Sequence, residues 1–220
     1  VDLNGTTQNV GALTLEGGSI INGTLNATSY DLRDGSISAS VSGAVPVTKT
    51  TDGVVTLTGA NNYTGATNIQ QGLLIFGSSG ALPGFATPGQ VNVSDGAFVV
   101  FRAGGVGEWS TADINTAIGA ANFNAFGGFG FDVIGSNEYT YGDAISGSGR
   151  SVLKTGSGTL ILTGASTHTG PTIIAGGTLK AGSQAGIFGP APVIVANGTL
   201  DLNGFDQHVA ISVDEVELQR

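Results

Sequence analysis

Five carboxylates fall close together in the middle of this 220-residue chain: Glu108, Asp113, Asp132, Glu138 and Asp143. Two acids held about 5 to 9.5 Å apart are what cleavage of a glycosidic bond requires, so a polysaccharide lyase or glycosidase is one chemistry to weigh. The stretch adds no cation to help with an anionic glycan except Arg102 and Arg150 at its edges. Solvated acids on an acidic surface explain the same five residues. The two histidines, His168 and His208, lack the Gly-x-Ser-x-Gly elbow of a serine hydrolase and the Glu-x-x-His spacing of a zinc site. His168 stands at a turn and reads as an exposed turn residue. Gly127-Gly128-Phe129-Gly130-Phe131-Asp132 meets the six defining positions of a calcium-binding nonapeptide. It does so once, and a lone copy cannot stack half-sites into a calcium roll. The expectation is therefore no catalytic, cofactor-binding or metal residue, with a carbohydrate-active enzyme as the alternative.

Repetition says more about what positions these residues. Lys49 to Gly84 recurs at Lys154 to Gly189, an offset of 105, with sixteen of the 36 aligned residues identical and no gap. The match continues from Val91 and from Val193 once three residues are dropped, giving copies near 49–101 and 154–204. The opening Val1-Asp2-Leu3-Asn4-Gly5 also reads like Leu200-Asp201-Leu202-Asn203-Gly204. Both ends then cut through the pattern, and with no methionine present the sequence is expected to be one β-helix fragment, 1–220, of a longer protein. Self-similarity of this kind marks arrays that stack like units.

Within the copies, apolar residues alternate with polar ones: Val55 and Leu57, Leu160 and Leu162, Leu200 and Leu202. Short alternating runs bounded by Asn-Gly and Asp-Gly dipeptides read as half-buried strands between turns. The same dipeptides favour two-residue hairpins, so an antiparallel sandwich is a competitor. A sandwich has no reason to repeat its strand sequence after 105 residues, whereas a parallel β-helix of about 20 to 25 residues per coil does. Leu57, Ile69, Leu74, Leu160, Leu162, Ile174 and Leu179 are expected to point inward. The pattern breaks at about 102–139. There Ser110 or Thr111 caps a short helix with Ile114, Ala117, Ile118 and Ala121 at helical spacing. Phe123, Phe126, Phe129 and Phe131 are expected to form an aromatic lid over a coil or the helix, and with Trp109 to pin the helix down rather than offer a sugar platform.

The segments LTGANNYTG (57–65) and KTGSGTLILTG (154–164) resemble the autotransporter-associated β-strand repeat, found in passenger regions of bacterial type V secretion proteins. Its pattern is met by Lys154, Thr155, Gly156, Gly158, Leu160, Leu162, Gly164, Thr169, Gly170, Thr172, Ile174, Gly177 and Leu179. His168 stands where the first copy has Tyr63, and Thr51 replaces the early Gly. The resemblance implies an all-β, right-handed parallel β-helix exported to the bacterial outer-membrane surface or beyond, and it implies no enzyme activity. The role expected is a structural stalk that supports passenger export and adhesion or self-association, with a host or glycan surface as partner.

Composition bounds the partners. A net charge of −9 with seven scattered basic residues opposes nucleic acid and anionic membranes, which need clustered Lys and Arg. Cysteine is absent, so disulfides and thiolate metal sites are excluded. No run of about 18 apolar residues occurs.

Overall fold

A computed structural model describes residues 1–213; residues 214–220 of the expected 1–220 fragment lie outside the described residues. The fold is mostly parallel β, a β-solenoid with one short α-helix among the described residues. The chain divides into two compact units, Val1–Phe129 and the remainder from Gly130.

The first unit runs β1 (Asp2–Leu15), β2 (Ser19–Leu32), β3 (Gly35–Ile37), β4 (Ser40–Ser42), β5 (Val47–Lys49), β6 (Val54–Leu57), β7 (Thr67–Ile69), β8 (Leu73–Phe76), β9 (Val91–Val93) and β10 (Phe98–Arg102). Helix α1 (Thr111–Ala120) and β11 (Asn122–Phe123) follow, and β12 (Gly128–Asp132) holds the division between the units. One face is the series β2-β5-β7-β9-β11 and another the series β2-β3-β6-β8-β10. Each strand pairs in parallel with its equivalent one coil later, so side chains stack in ladders: Leu32, Lys49, Ile69, Val93 and Phe123 form one, and Ile37, Leu57, Phe76 and Phe101 another. The second unit continues with β13 (Glu138–Tyr141), β14 (Ser151–Thr155), β15 (Thr159–Leu162), β16 (Thr172–Ile174), β17 (Thr178–Ala181), β18 (Val193–Val195), β19 (Thr199–Asp201) and β20 (Ile211–Val213). Its series are β12-β14-β16-β18-β20 and β13-β15-β17-β19.

Alternation in sequence becomes alternation in burial, as a pleated strand demands. The seven leucines and isoleucines expected inward are all buried, and Leu57 and Leu162 occupy equivalent places at the ends of β6 and β15. Coil length varies more than expected: stacked asparagines are 17 residues apart at Asn9 and Asn26, 24 at Asn68 and Asn92, and 30 at Asn92 and Asn122. The long coil contains α1, whose extra residues leave the stack and return to it. The Asn-Gly pairs take the positive φ expected of them at Asn4, Asn22 and Asn203, but none closes a hairpin: Asn4 and Asn22 lie within β1 and β2, where the parallel register shifts, and Asn203 lies between β19 and β20.

Two expectations in the middle of the chain need correction. Ser110 is the N-cap, its Oγ accepting from the Asp113 amide at 3.1 Å, with Ile114 and Ala117 buried. Strands nevertheless resume inside the expected insertion, at β11, β12 and the start of β13. Phe129 and Phe131 are no lid: they lie on β12, two residues apart on one side of the strand, and are fully buried. Glycine spacing hid the alternation, because Gly128 and Gly130 supply no side chain to mark the other face. Phe126 alone of the group stays largely exposed, at 62%.

Candidate functional site

The repeated segment builds the same local arrangement twice. Tyr63 and His168 follow β6 and β15 across the LTG turn, and both side chains turn inward rather than to solvent. The Tyr63 hydroxyl lies 2.7 Å from Thr67 Oγ1, and His168 Nε2 lies 3.0 Å from Thr172 Oγ1. Both threonines are buried too, at the start of β7 and β16. The expectation that His168 is an exposed turn residue is therefore wrong, since the residue is 0% exposed. The turn is formed by the glycines around it, and the intervening side chain is folded back into the coil. Burial pushes the Tyr63 phenol well up and the His168 imidazole down, the latter opposed by the Ile145 carbonyl.

Backbone crowding explains why glycine is needed there. A Cβ on Gly65 would come within 2.3 Å of Pro46 N, and one on Gly170 within 2.4 Å of the Gly149 carbonyl oxygen. Gly72 and Gly177 combine such contacts with φ of +65° and +61°. Successive coils approach too closely at these points for any side chain.

Lysine opens the motif and is the charged residue the sequence reading missed. Lys49 and Lys154 are both 0% exposed, and Lys49 takes a place in a ladder between Leu32 and Ile69. Lys49 Nζ donates to the Thr51 carbonyl, while Thr51 Oγ1 donates to Arg33 O at 2.7 Å. Lys154 Nζ donates to the carbonyls of Thr155, Gly156 and Gly176 at 2.6, 2.8 and 3.1 Å. Burial lowers both lysines, Lys154 to about 8; the charge of Asp132 opposes this at Lys154, and those of Asp34, Asp52 and Asp31 oppose it at Lys49. A buried cation is tolerated here because its protons meet backbone carbonyl oxygens gathered at the turn. The coincidence of the two lysines under the 105-residue offset was the available signal.

The five candidate acids are spread over different tasks. Glu108 and Asp113 belong to the first unit, where Glu108 Oε2 accepts from the Gly105 amide at 2.6 Å and Asp113 accepts from the Ser110 hydroxyl at 2.8 Å. In the second unit Asp132 is buried on β12 and acts on Lys154. Glu138 and Asp143 are exposed on and after β13. His168 is buried and His208 exposed. Among the described residues no three His, Cys, Asp or Glu side chains gather as metal ligands, and no helix is long and apolar enough to cross a membrane. Trp109 is 2% exposed: its ring stands edge-on to Phe101 and Phe85 at 4.8 and 5.2 Å, and Nε1 donates to the Phe76 carbonyl at 3.0 Å. It fastens the segment before α1 to β8 and is not free to stack on a sugar.

Comparison with known proteins meets the geometry at the same residues. The passenger-associated-transport-repeat family matches residues 47–75 and 152–181, the two segments just described. Over 191 residues, 80% of its length, the chain is 33% identical to the adhesin BmaC autotransporter of Brucella suis biovar 1 (strain 1330). The chain is an autotransporter-type repeat protein. It spans 5% of the length of that adhesin. No solved structure matches it.

In this autotransporter-type repeat chain the family segments run from two residues before the buried lysine through the Tyr63 or His168 turn to β8 and β17. Each thus carries one set of stacking devices: a buried ammonium, inward leucines, a polar pair beneath the turn, and glycines at the crossings between coils.

Proposed function

We propose that the chain is a structural segment of a surface passenger, carried outside the bacterial outer membrane, whose task is to fold into stacked coils and present their outer faces. One observation carries this reading: the residues inside the two transport-repeat matches, among them Leu57, Tyr63, Leu162, His168, Gly65 and Gly170, are the residues that hold one coil on the next. Coil-by-coil folding distributes stability along the chain, which suits a polypeptide delivered end first. No enzymatic role is needed.

The same outer faces support adhesion or self-association. On the first unit Asn122 Nδ2 donates to Asn92 Oδ1 at 3.1 Å and Asn92 Nδ2 to Asn68 Oδ1 at 3.0 Å, a polar ladder set by parallel register. A regular row of amides suits a second ladder or a glycan surface. The test uses the parent protein on its own cells, with Asn68, Asn92 and Asn122 changed together to Asp. Surface amounts should match the wild type while cell clumping and binding to host cells or glycans fall several-fold. Unchanged clumping and binding would remove the ladder from the account.

A further inference from the structure

The two copies differ in one buried group that can change charge. Tyr63 stays neutral in its coil, because burial raises its phenol far from the working range. His168 fills the same place with an imidazole that leaves Nδ1 without a hydrogen-bond partner. Since a bare ring nitrogen is cheaper to bury than an unpaired N–H, the arrangement assigns the proton to Nε2, which donates to Thr172 Oγ1. A second proton at Nδ1 would place a full charge inside the coil, its burial only partly offset by the Ile145 carbonyl.

What surrounds the ring offers little relief. Its own coil supplies the Thr172 hydroxyl, the preceding coil Ile145, and the following coil Gly189, where a Cβ would lie 3.2 Å from Nδ1 and Cε1. Charged side chains carried by these segments are Asp143, Arg150 and Lys154 before it and Asp206 and His208 after it. None of them is among the influences on the ring, which are burial and, against it, the Ile145 carbonyl.

We propose that His168 is an acid-sensitive latch: protonation at Nδ1 opens the coil over residues 166–174, while the equivalent coil at Tyr63 stays closed. The proton comes from solvent during transient opening, and it traps the open form because the charged ring is hydrated there and desolvated when closed. Loosening this coil frees the Ser166 and Thr167 amides from Gly186 and Ile145, and with them the tie between successive coils.

Reciprocal exchange tests it. Hydrogen-exchange protection factors, corrected for intrinsic rates, are measured at about pH 7.5 and about pH 5, either side of the ordinary histidine range. Wild-type residues 166–174 should lose protection about tenfold at the lower pH, with residues 61–69 unchanged. His168→Tyr should abolish the loss, and Tyr63→His should move it to residues 61–69. If Tyr63→His fails to fold, His168→Tyr decides alone. Equal acid loss in wild type and His168→Tyr, or no loss in wild type, overturns the proposal. An imidazole titration in which His168 protonates in the ordinary histidine range overturns it as well.

Discussion

Lys154 Nζ reaches the carbonyl oxygen of Gly176 at 3.1 Å, so a fully buried ammonium fastens its own turn to the coil that follows. The cost of burying that charge appears in its pKa, about 8 against an ordinary 10.5. Between those values the unfolded chain holds a proton that the folded chain has released, so stability rises with pH across the window. The rise is at most about 3 kcal/mol. Urea unfolding between about pH 8 and pH 10.5 should show a clearly smaller rise in Lys154→Met than in the wild type, the part due to Lys49 remaining in both. Equal slopes in the two proteins would show that Lys154 is not held in this way.

Leu57→Ala and Leu162→Ala should each destabilise by about 2–5 kcal/mol, the range for a buried leucine whose cavity does not collapse. Because the coils are equivalent, the two losses should agree within about 1 kcal/mol. Chemical denaturation gives the comparison. A mild effect of either substitution would argue against inward stacking at that position.

Much of this is legible in the sequence. Period-two alternation placed the seven inward residues, and the 105-residue offset paired Leu57 with Leu162, because equivalent coils bury equivalent side chains. The helix start was readable to within one residue, Ser110 or Thr111, from their hydroxyls and the Ile114, Ala117 spacing. Lys49, Lys154 and His168 were not, since their burial depends on carbonyls and a threonine brought in from turns and neighbouring strands, which type and spacing do not reveal. Phe129 and Phe131 were misplaced because glycines on the opposite face of β12 carry no side chain to show the strand's alternation.

Gly177 and Gly186 have nearly the same φ, +61° and +59°, but only Gly177 is crowded, with a Cβ placed 2.3 Å from the Gly158 carbonyl. Gly186→Ala should cost about 1–2 kcal/mol, the penalty of a left-handed alanine. Gly177→Ala should cost at least about 3 kcal/mol, because backbone of the preceding coil must also move. Thermal melts of the two variants separate conformational strain from coil-to-coil contact; equal losses would contradict the stacking geometry.

Ser110→Ala removes the acceptor for the Asp113 amide and should cost about 1 kcal/mol. The effect should be local. Hydrogen exchange should rise in residues 111–120 while β8 and β10 keep their protection, held by their own ladder and by Trp109 at Phe76. Loss of protection throughout the first unit would mean that the helix supports the stack rather than resting on it.

The most direct test of the central claim is surface display of the parent protein, read by antibody labelling of intact cells. In Leu162→Asp a charge replaces a side chain buried at the end of β15, and display should fall several-fold with the protein accumulating inside the cell. Glu138→Gln with Asp143→Asn, at exposed acids of the candidate cluster, should leave both display and adherence at wild-type levels. Normal display of Leu162→Asp, together with loss of function in the acid variant, would contradict a role built on stacked coils.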